Sequence, residues 1–212
     1  VPTKRITVQP ERLERWLAGF ADRHGPIEYQ ARPDTVAVQA ADGAEALCEV
    51  PFGPLVVDDD APFGGLPAHA RRDRRVGVLL VRKGGYASGV FDGRELVASK
   101  VGSRHVQGRT AAGGQSQQRF ARRREKQARE AFQAAADVAA RVILPHAGTL
   151  DAVIGGGDRG AVSQVLADTR MAPLRELVMP QHLTVPDPKL NVLRQTPETF
   201  RAVQITLTEP DT

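Results

Sequence analysis

The sequence predicts an α/β (α+β) fold with a mixed central sheet, and three observations carry that expectation. Three strand-like runs, Val76–Val81, Tyr86–Phe91 and Glu95–Val101, are separated by Lys83-Gly84-Gly85 and Asp92-Gly93-Arg94, which suit tight turns. Together they give an antiparallel three-strand meander. A segment from about Ser116 to Ile143 then keeps helical periodicity and stops before Pro145. Ahead of both lies a separate set of short elements, enough for a small N-terminal α+β subdomain.

In chain order, PERLERWLAGFADRHG sets Leu13, Trp16, Leu17 and Phe20 at helical spacing, and Gly25-Pro26 ends the helix. IEYQA, TVAVQA and ALCEV read as strands, with Asp42-Gly43 fit for a tight turn. PFGPLVVDDDAPFGGLPAHARRDRR is rich in proline, glycine and opposed charge runs, so it reads as a connector lying over the surface. The expected division is therefore 1–70 and 71–212. After the meander come a loop, Gly102–Gly114, and the long helix. DAVIGGG reads as a buried strand, AVSQVLAD as a helix, and HLTV and AVQITLTE as late strands around the same sheet. IGGGDRG invites a phosphate-cradle reading but lacks the Lys-Ser/Thr of a nucleotide loop. A tight strand-to-helix turn capped by Asp158 is the stronger reading. No internal repeat is visible.

At 212 residues, 41% hydrophobic and 25% charged, the chain suits one substantial core or two modest domains. Its one cysteine, Cys48, excludes an intramolecular disulfide and reads as a half-buried strand thiol. His24, His69, His146 and His182 are too scattered to propose a metal site, and no cofactor is expected. No apolar run approaches the roughly 18 residues of a membrane span. The start, VPTKRITVQPERL, has no hydrophobic signal core, so a cytoplasmic protein without membrane contact is expected.

The net charge is +4, and its distribution is uneven. Between Lys100 and Glu130 stand nine Lys/Arg against two acidic residues, and the remainder holds twenty against twenty-three. All the positive excess thus sits in one segment, as a nucleic-acid contact requires. At 100° per residue, Arg119, Arg122, Arg123, Lys126 and Arg129 share one helical face. Phe120, Ala128, Ala131, Phe132, Ala135, Val138, Ala139 and Val142 share the other, and Arg124 breaks the pattern. The guanidinium fork suits phosphate oxygens, with RNA rather than DNA as the expected partner. From the helix alone, an amphipathic surface helix that happens to be basic stays open.

GGQSQQRFARRR, Gly113–Arg124, resembles the Gly-Gly-Gln segment of eukaryotic and archaeal class I peptide chain release factors. Gly113, Gly114, Gln115, Ser116, Arg119, Phe120, Arg122 and Arg124 match that pattern. From about Val76 onward the chain resembles the catalytic middle domain of those factors. It is also similar to the release-factor-like tRNA hydrolases of ribosome quality control, including actinobacterial relatives. The resemblance implies a hydrolase that enters the peptidyl-transferase centre of the large ribosomal subunit and cleaves the ester of peptidyl-tRNA; a monomer is expected. Two departures qualify it. Seven residues separate His105 from Gly113, where the family often keeps a histidine close to the glycines. Residues 1–70 hold nothing like the Asn-Ile-Lys-Ser stop-codon reader, so codon-independent rescue is expected, with this part docking on the ribosome or tRNA.

From Lys100 to Gln118 there is no Asp, Glu or Cys, so catalysis must come from positioning and electrostatics. The expected catalytic residues are Gly113, Gly114 and Gln115. The glycines allow close backbone approach, the Gln115 N–H stabilises the oxyanion or leaving oxygen, and its side chain orders or excludes water. The resemblance implies that a hydroxyl of the terminal tRNA ribose helps activate that water. Arg104, His105, Arg109, Arg119, Arg122, Arg123 and Lys126 are the expected RNA contacts. His105 is also the one titratable base candidate in the loop, although phosphate contact or solvation weighs more. Ser116 suits a helix N-cap better than a nucleophile. Two alternatives stand beside hydrolysis: an endonuclease cutting near the tRNA 3′ CCA end, and a non-enzymatic ribosome- or RNA-binding module.

Overall fold

The computed structural model describes residues 2–82, 84–103 and 115–210, without the side chains of 115–124. The elements begin with β1 (Thr3–Val8), α1 (Leu13–His24), β2 (Ile27–Ala31), β3 (Thr35–Ala40), β4 (Glu45–Glu49) and α2 (Leu66–Arg71). There follow β5 (Arg75–Arg82), β6 (Gly85–Asp92), β7 (Glu95–Ser103), α3 (Gln115–Val142), β8 (Ala152–Gly157) and α4 (Arg159–Leu166). The last are α5 (Ala172–Arg175), β9 (Val178–Leu183), α6 (Leu190–Gln195), α7 (Pro197–Phe200) and β10 (Val203–Thr208). They form two units: residues 1–72 with 197–212, and residues 73–196.

The first unit is an antiparallel sheet of order β1-β10-β4-β3-β2. Strict alternation puts Val36, Val38, Ala46, Cys48, Val203, Ile205 and Leu207 on its buried face. In register, Ile6 opposes Ile205, Ile205 opposes Cys48, and Cys48 opposes Val36, which makes one apolar row across four strands. Leu13, Leu17 and Phe20 of α1 are fully buried in the same core. Each such side chain contributes about 1.5–3 kcal/mol by leaving water.

Several expectations change here. There are two five-stranded sheets, and β10, expected in the central one, belongs to the first. Its alternation specified a half-buried strand but carried no information about partners. β1, which the sequence reading passed over, pairs with β10 along all six residues. The connector is not merely a surface strap, because Leu55, Leu66 and Ala70 are buried in the first core. Cys48 is fully rather than half buried, and desolvation pushes its thiol up to about 12, which removes it as a nucleophile. The late strand expected at HLTV starts four residues earlier, at Val178, and ends at Leu183, as β9.

The second unit is a mixed sheet of order β7-β6-β5-β8-β9. β5, β6 and β7 form the antiparallel meander, and β8 joins parallel to β5, with β9 parallel to β8. β5 and β8 are nearly continuous apolar runs because both faces of the sheet are covered. On one face, Ala135, Ala139 and Val142 of α3 and Val162 and Val165 of α4 pack over Leu79, Val81 and Val90. On the other, Gly89 leaves room for Leu193 of α6, whose Cδ2 would lie 3.0 Å from any Cβ there.

Asp158 caps α4, its Oδ1 accepting from the Ala161 N–H at 2.9 Å, as the tight-turn reading of IGGGDRG requires. Asp158→Ala is expected to lower stability by about 1 kcal/mol in a denaturant titration. An unchanged midpoint would remove the cap's energetic role.

The lower half of α3 is held by an ion-pair cluster that the sequence reading missed. Arg170 donates to Asp137 of α3 at 2.9 Å and to Asp168 at 2.7 Å. Hydrogen bonding from Arg170 holds Asp168 down at about 2 and lowers Asp137 too, while the two carboxylates raise Arg170. Because Asp168 is depressed in the folded state, its stabilisation is complete above the unfolded value of about 3.9 and is lost as pH falls toward about 2. Arg170→Ala should therefore flatten the rise in stability between those two pH values, read by denaturant titrations. A parallel pH profile in the variant would refute the linkage.

Candidate functional site

β7 leads out of the sheet toward the glycine-bearing loop, and α3 brings the chain back across the same sheet. Gly113, Gly114, Arg104, His105 and Arg109 lie outside the described residues. Gln115, Arg119, Arg122 and Arg123 lie in the α3 backbone, with their side chains outside the description. α3 begins at Gln115, so Ser116 falls inside the helix and not at the cap expected of it.

That position has a chemical consequence. The first four N–H groups of any α-helix have no intrahelical acceptor, and they form its partially positive pole. In α3, which starts at Gln115, these include the N–H groups of Gln115, Ser116 and Gln117. A developing oxyanion near them would meet free donors and a favourable dipole without any acid, base or metal.

The helix is long enough to separate this end from the packed body. Its first buried residue among those described is Ala131, sixteen positions after Gln115. At 1.5 Å per residue that is roughly 24 Å along the axis. Residues 125–130 are exposed or half-buried. Lys126 is 77% exposed, and its Nζ lies 4.0 Å from Glu130. Arg129, 72% exposed, pairs with Glu125 at 3.3 Å. The two acidic residues of the basic segment are thus engaged on the helix itself. Exposed pairs of this kind contribute about 0.3–0.5 kcal/mol, so they would yield readily to a phosphate.

Beneath this turn is a cavity of about 290 Å³ lined by Val81, Tyr86, Ala128, Ala131, Phe132 and Asp158, among others. It is apolar, and its carboxylate is already committed to capping α4. Gly102, in the strand that enters the loop, lies against the Tyr86 ring, where a Cβ would come within 2.5 Å of Cε2. That contact lies in the strand that leads to the loop and, like the Arg170 cluster on the lower half of α3, had no periodic signal in the sequence. Among the described residues no three His, Cys, Asp or Glu side chains are grouped to hold a metal. His24, His69 and His182 instead meet Asp42, the Pro51 carbonyl and the Gly157 carbonyl, at 2.8, 2.8 and 3.0 Å. No described helix is long and apolar enough to cross a membrane.

The family described as Actinobacteria/chloroflexi VLRF1 release factor matches residues 74–206, well over half of the chain. No curated protein matches the sequence. Among solved structures, the archaeal translation termination factor aRF1 is similar with 18% identity and a TM-score of 0.47, over 76% of this chain and 49% of that one. This chain thus spans about half the length of the archaeal factor. The Vms1 mitochondrial localization core is similar with 10% identity and a TM-score of 0.43, over 96% of this chain and 82% of that one.

Proposed function

The chain belongs to the Actinobacteria/chloroflexi VLRF1 release factor family, and from that premise we propose that it is a codon-independent peptidyl-tRNA hydrolase acting on stalled ribosomes or large subunits. The observation that carries the reading is that Gln115, which follows Gly113-Gly114 in the sequence, is where α3 starts. The substrate is an activated ester, so a placed water and a donor for the oxyanion suffice. The free N–H at the helix start supplies the donor, and the glutamine side chain excludes or orders water. The tRNA and the ribosome supply the remaining groups. The basic segment behind the loop holds it against RNA, which keeps the amide in register with the ester. Residues 1–70 serve docking, and the catalytic part begins after them.

The test is peptide release from purified large-subunit nascent-chain complexes, wild type beside Gln115→Ala, with tRNA 3′ ends mapped. Release with an intact CCA end supports hydrolysis. A shortened tRNA would replace it with the nuclease reading, and full function in Gln115→Ala would reduce the loop to an anchor. Charge reversal at Arg122 and Arg123 together is expected to weaken association with these complexes. It should also lower the slope of log affinity against log salt by about 1.5 if both touch phosphates. An unchanged slope would take both residues off the RNA.

A further inference from the structure

The first unit carries a feature that release chemistry does not use. A groove of about 390 Å³ runs between α1 and the turn that precedes α2. Leu17, Ala18 and Ala21 form one wall, and Pro62, Phe63 and Ala68 are part of the other. Glu14 is the one charged residue of its lining, and Arg71 already donates to both oxygens of that carboxylate, at 3.2 and 3.1 Å. Small-molecule sites fix their ligands with a few convergent polar groups. This groove offers only alkyl and ring surface, which suits the apolar side chains of a protein segment.

The second wall is preformed by unusual backbone. Phe63 has φ 55 without being glycine, and Gly64 and Gly65 follow at φ 64 and 84. A Cβ on Gly64 would collide with the Cβ of Ala31, so the glycine is required there. The Phe63 ring is braced by Tyr29, with centroids 5.2 Å apart. Non-glycine residues in the left-handed region persist only where their surroundings over-determine them, and such sites cluster at ligand clamps.

Charge identifies the occupant. The first unit holds nine Lys/Arg against fourteen Asp/Glu, whereas the second holds twenty against eleven. Asp58, Asp59 and Asp60, all exposed, end at Ala61, which lines the groove. Asp58 ties this acidic turn to the wall, its N–H donating to the Gly64 carbonyl at 3.2 Å and its Oδ1 accepting from the Asp60 N–H at 3.1 Å. An acidic rim repels nucleic acid and attracts lysine and arginine. We propose that this groove docks a protein segment that carries apolar side chains flanked by lysines or arginines. A merely incidental depression would need neither the strained wall nor the acidic rim.

The full-length chain would be titrated by fluorescence anisotropy with a synthetic amphipathic helical peptide, leucines on one face and lysines on the other. The same peptide with glutamates in place of lysines is the control. Alanine-methyl spectra would report the site through Ala18, Ala21, Ala61 and Ala68. The lysine peptide should bind saturably and shift those methyls, and the glutamate peptide should bind at least about tenfold more weakly. Ala18→Arg, at an exposed helical position, should weaken the lysine peptide by a similar factor. Asp59→Lys with Asp60→Lys alters the rim alone and should slow association while leaving the methyl spectrum native. Absence of saturable binding, equal binding of both peptides, or shifts confined to other methyls would each overturn the proposal. So would a short RNA hairpin that occupies the groove, or a self-association of the chain that fills it. None of these outcomes depends on whether peptide is released, so the test stands apart from the hydrolase reading.

Discussion

Replacing Gly113 and Gly114 together by alanine is expected to slow peptide release by about 10²–10³-fold, the usual cost of a lost oxyanion donor. Affinity for the nascent-chain complex should barely change, because the basic residues proposed to carry binding are untouched. No acidic or thiol group between Lys100 and Gln118 could compensate, so the loss has no alternative chemistry to soften it. The substitution acts on backbone freedom: two methyl groups restrict the angles by which the chain reaches the helix start. Gln115→Ala keeps the N–H and removes only the side chain, so it should be the milder variant if the backbone amide is the donor. Single-turnover release with separately measured binding checks both statements. A larger loss in Gln115→Ala than in the glycine pair would move the catalytic role from the amide to the side chain.

Gly157→Ala is expected to cost about 3–5 kcal/mol in a denaturant titration, summed from backbone strain, overpacking and a weakened hydrogen bond. Gly157 sits at φ 90, and an added Cβ would run into the Val81 carbonyl and lie 2.9 Å from Cγ of Arg82. That carbonyl is already the acceptor for the Asp158 N–H at 2.8 Å. The methyl would therefore disturb the end of β5, the turn out of β8 and the capped start of α4 at once. α4 packs against α3, so release activity should fall at temperatures where the wild type is still folded. A loss below about 1 kcal/mol would mean that the turn relaxes freely and that the glycine is a matter of convenience.

The parts of the fold that could be read in the sequence were those with local periodicity. Helix α3 ends within a residue of its expected end at Ile143, because Ala131, Ala135, Ala139 and Val142 recur at helical spacing and Pro145 forbids continuation. The meander followed from two glycine turns. What could not be read was pairing over distance. β10 alternates cleanly, yet nothing in Val203–Thr208 says that it lies between β1 and β4. Leu55 and Leu66 are buried although proline and glycine surround them, since a winding path can still deliver a side chain to a core. The Asp137–Arg170 pair joins residues far apart in sequence and leaves no pattern. The candidate site was legible for the opposite reason. Its signal is an ordered run of residue types, with glycines and an amide where acids and bases would otherwise stand.

The position of β10 sets the order in which this protein can be built on a ribosome. The inserted unit, 73–196, is complete before residues 203–208 are made, while the first unit waits for them. Until then β1 and β4 have no strand between them, and the first core lacks Val203, Ile205 and Leu207. The usual N-terminal-first sequence of domain folding is thereby reversed. Ribosome-bound chains ending before residue 203 should be cut by protease within 1–72 and resist within 73–196. A nascent chain that has not reached β10 would thus carry a finished 73–196 unit and a first sheet split between β1 and β4, two neighbours that only this strand can join.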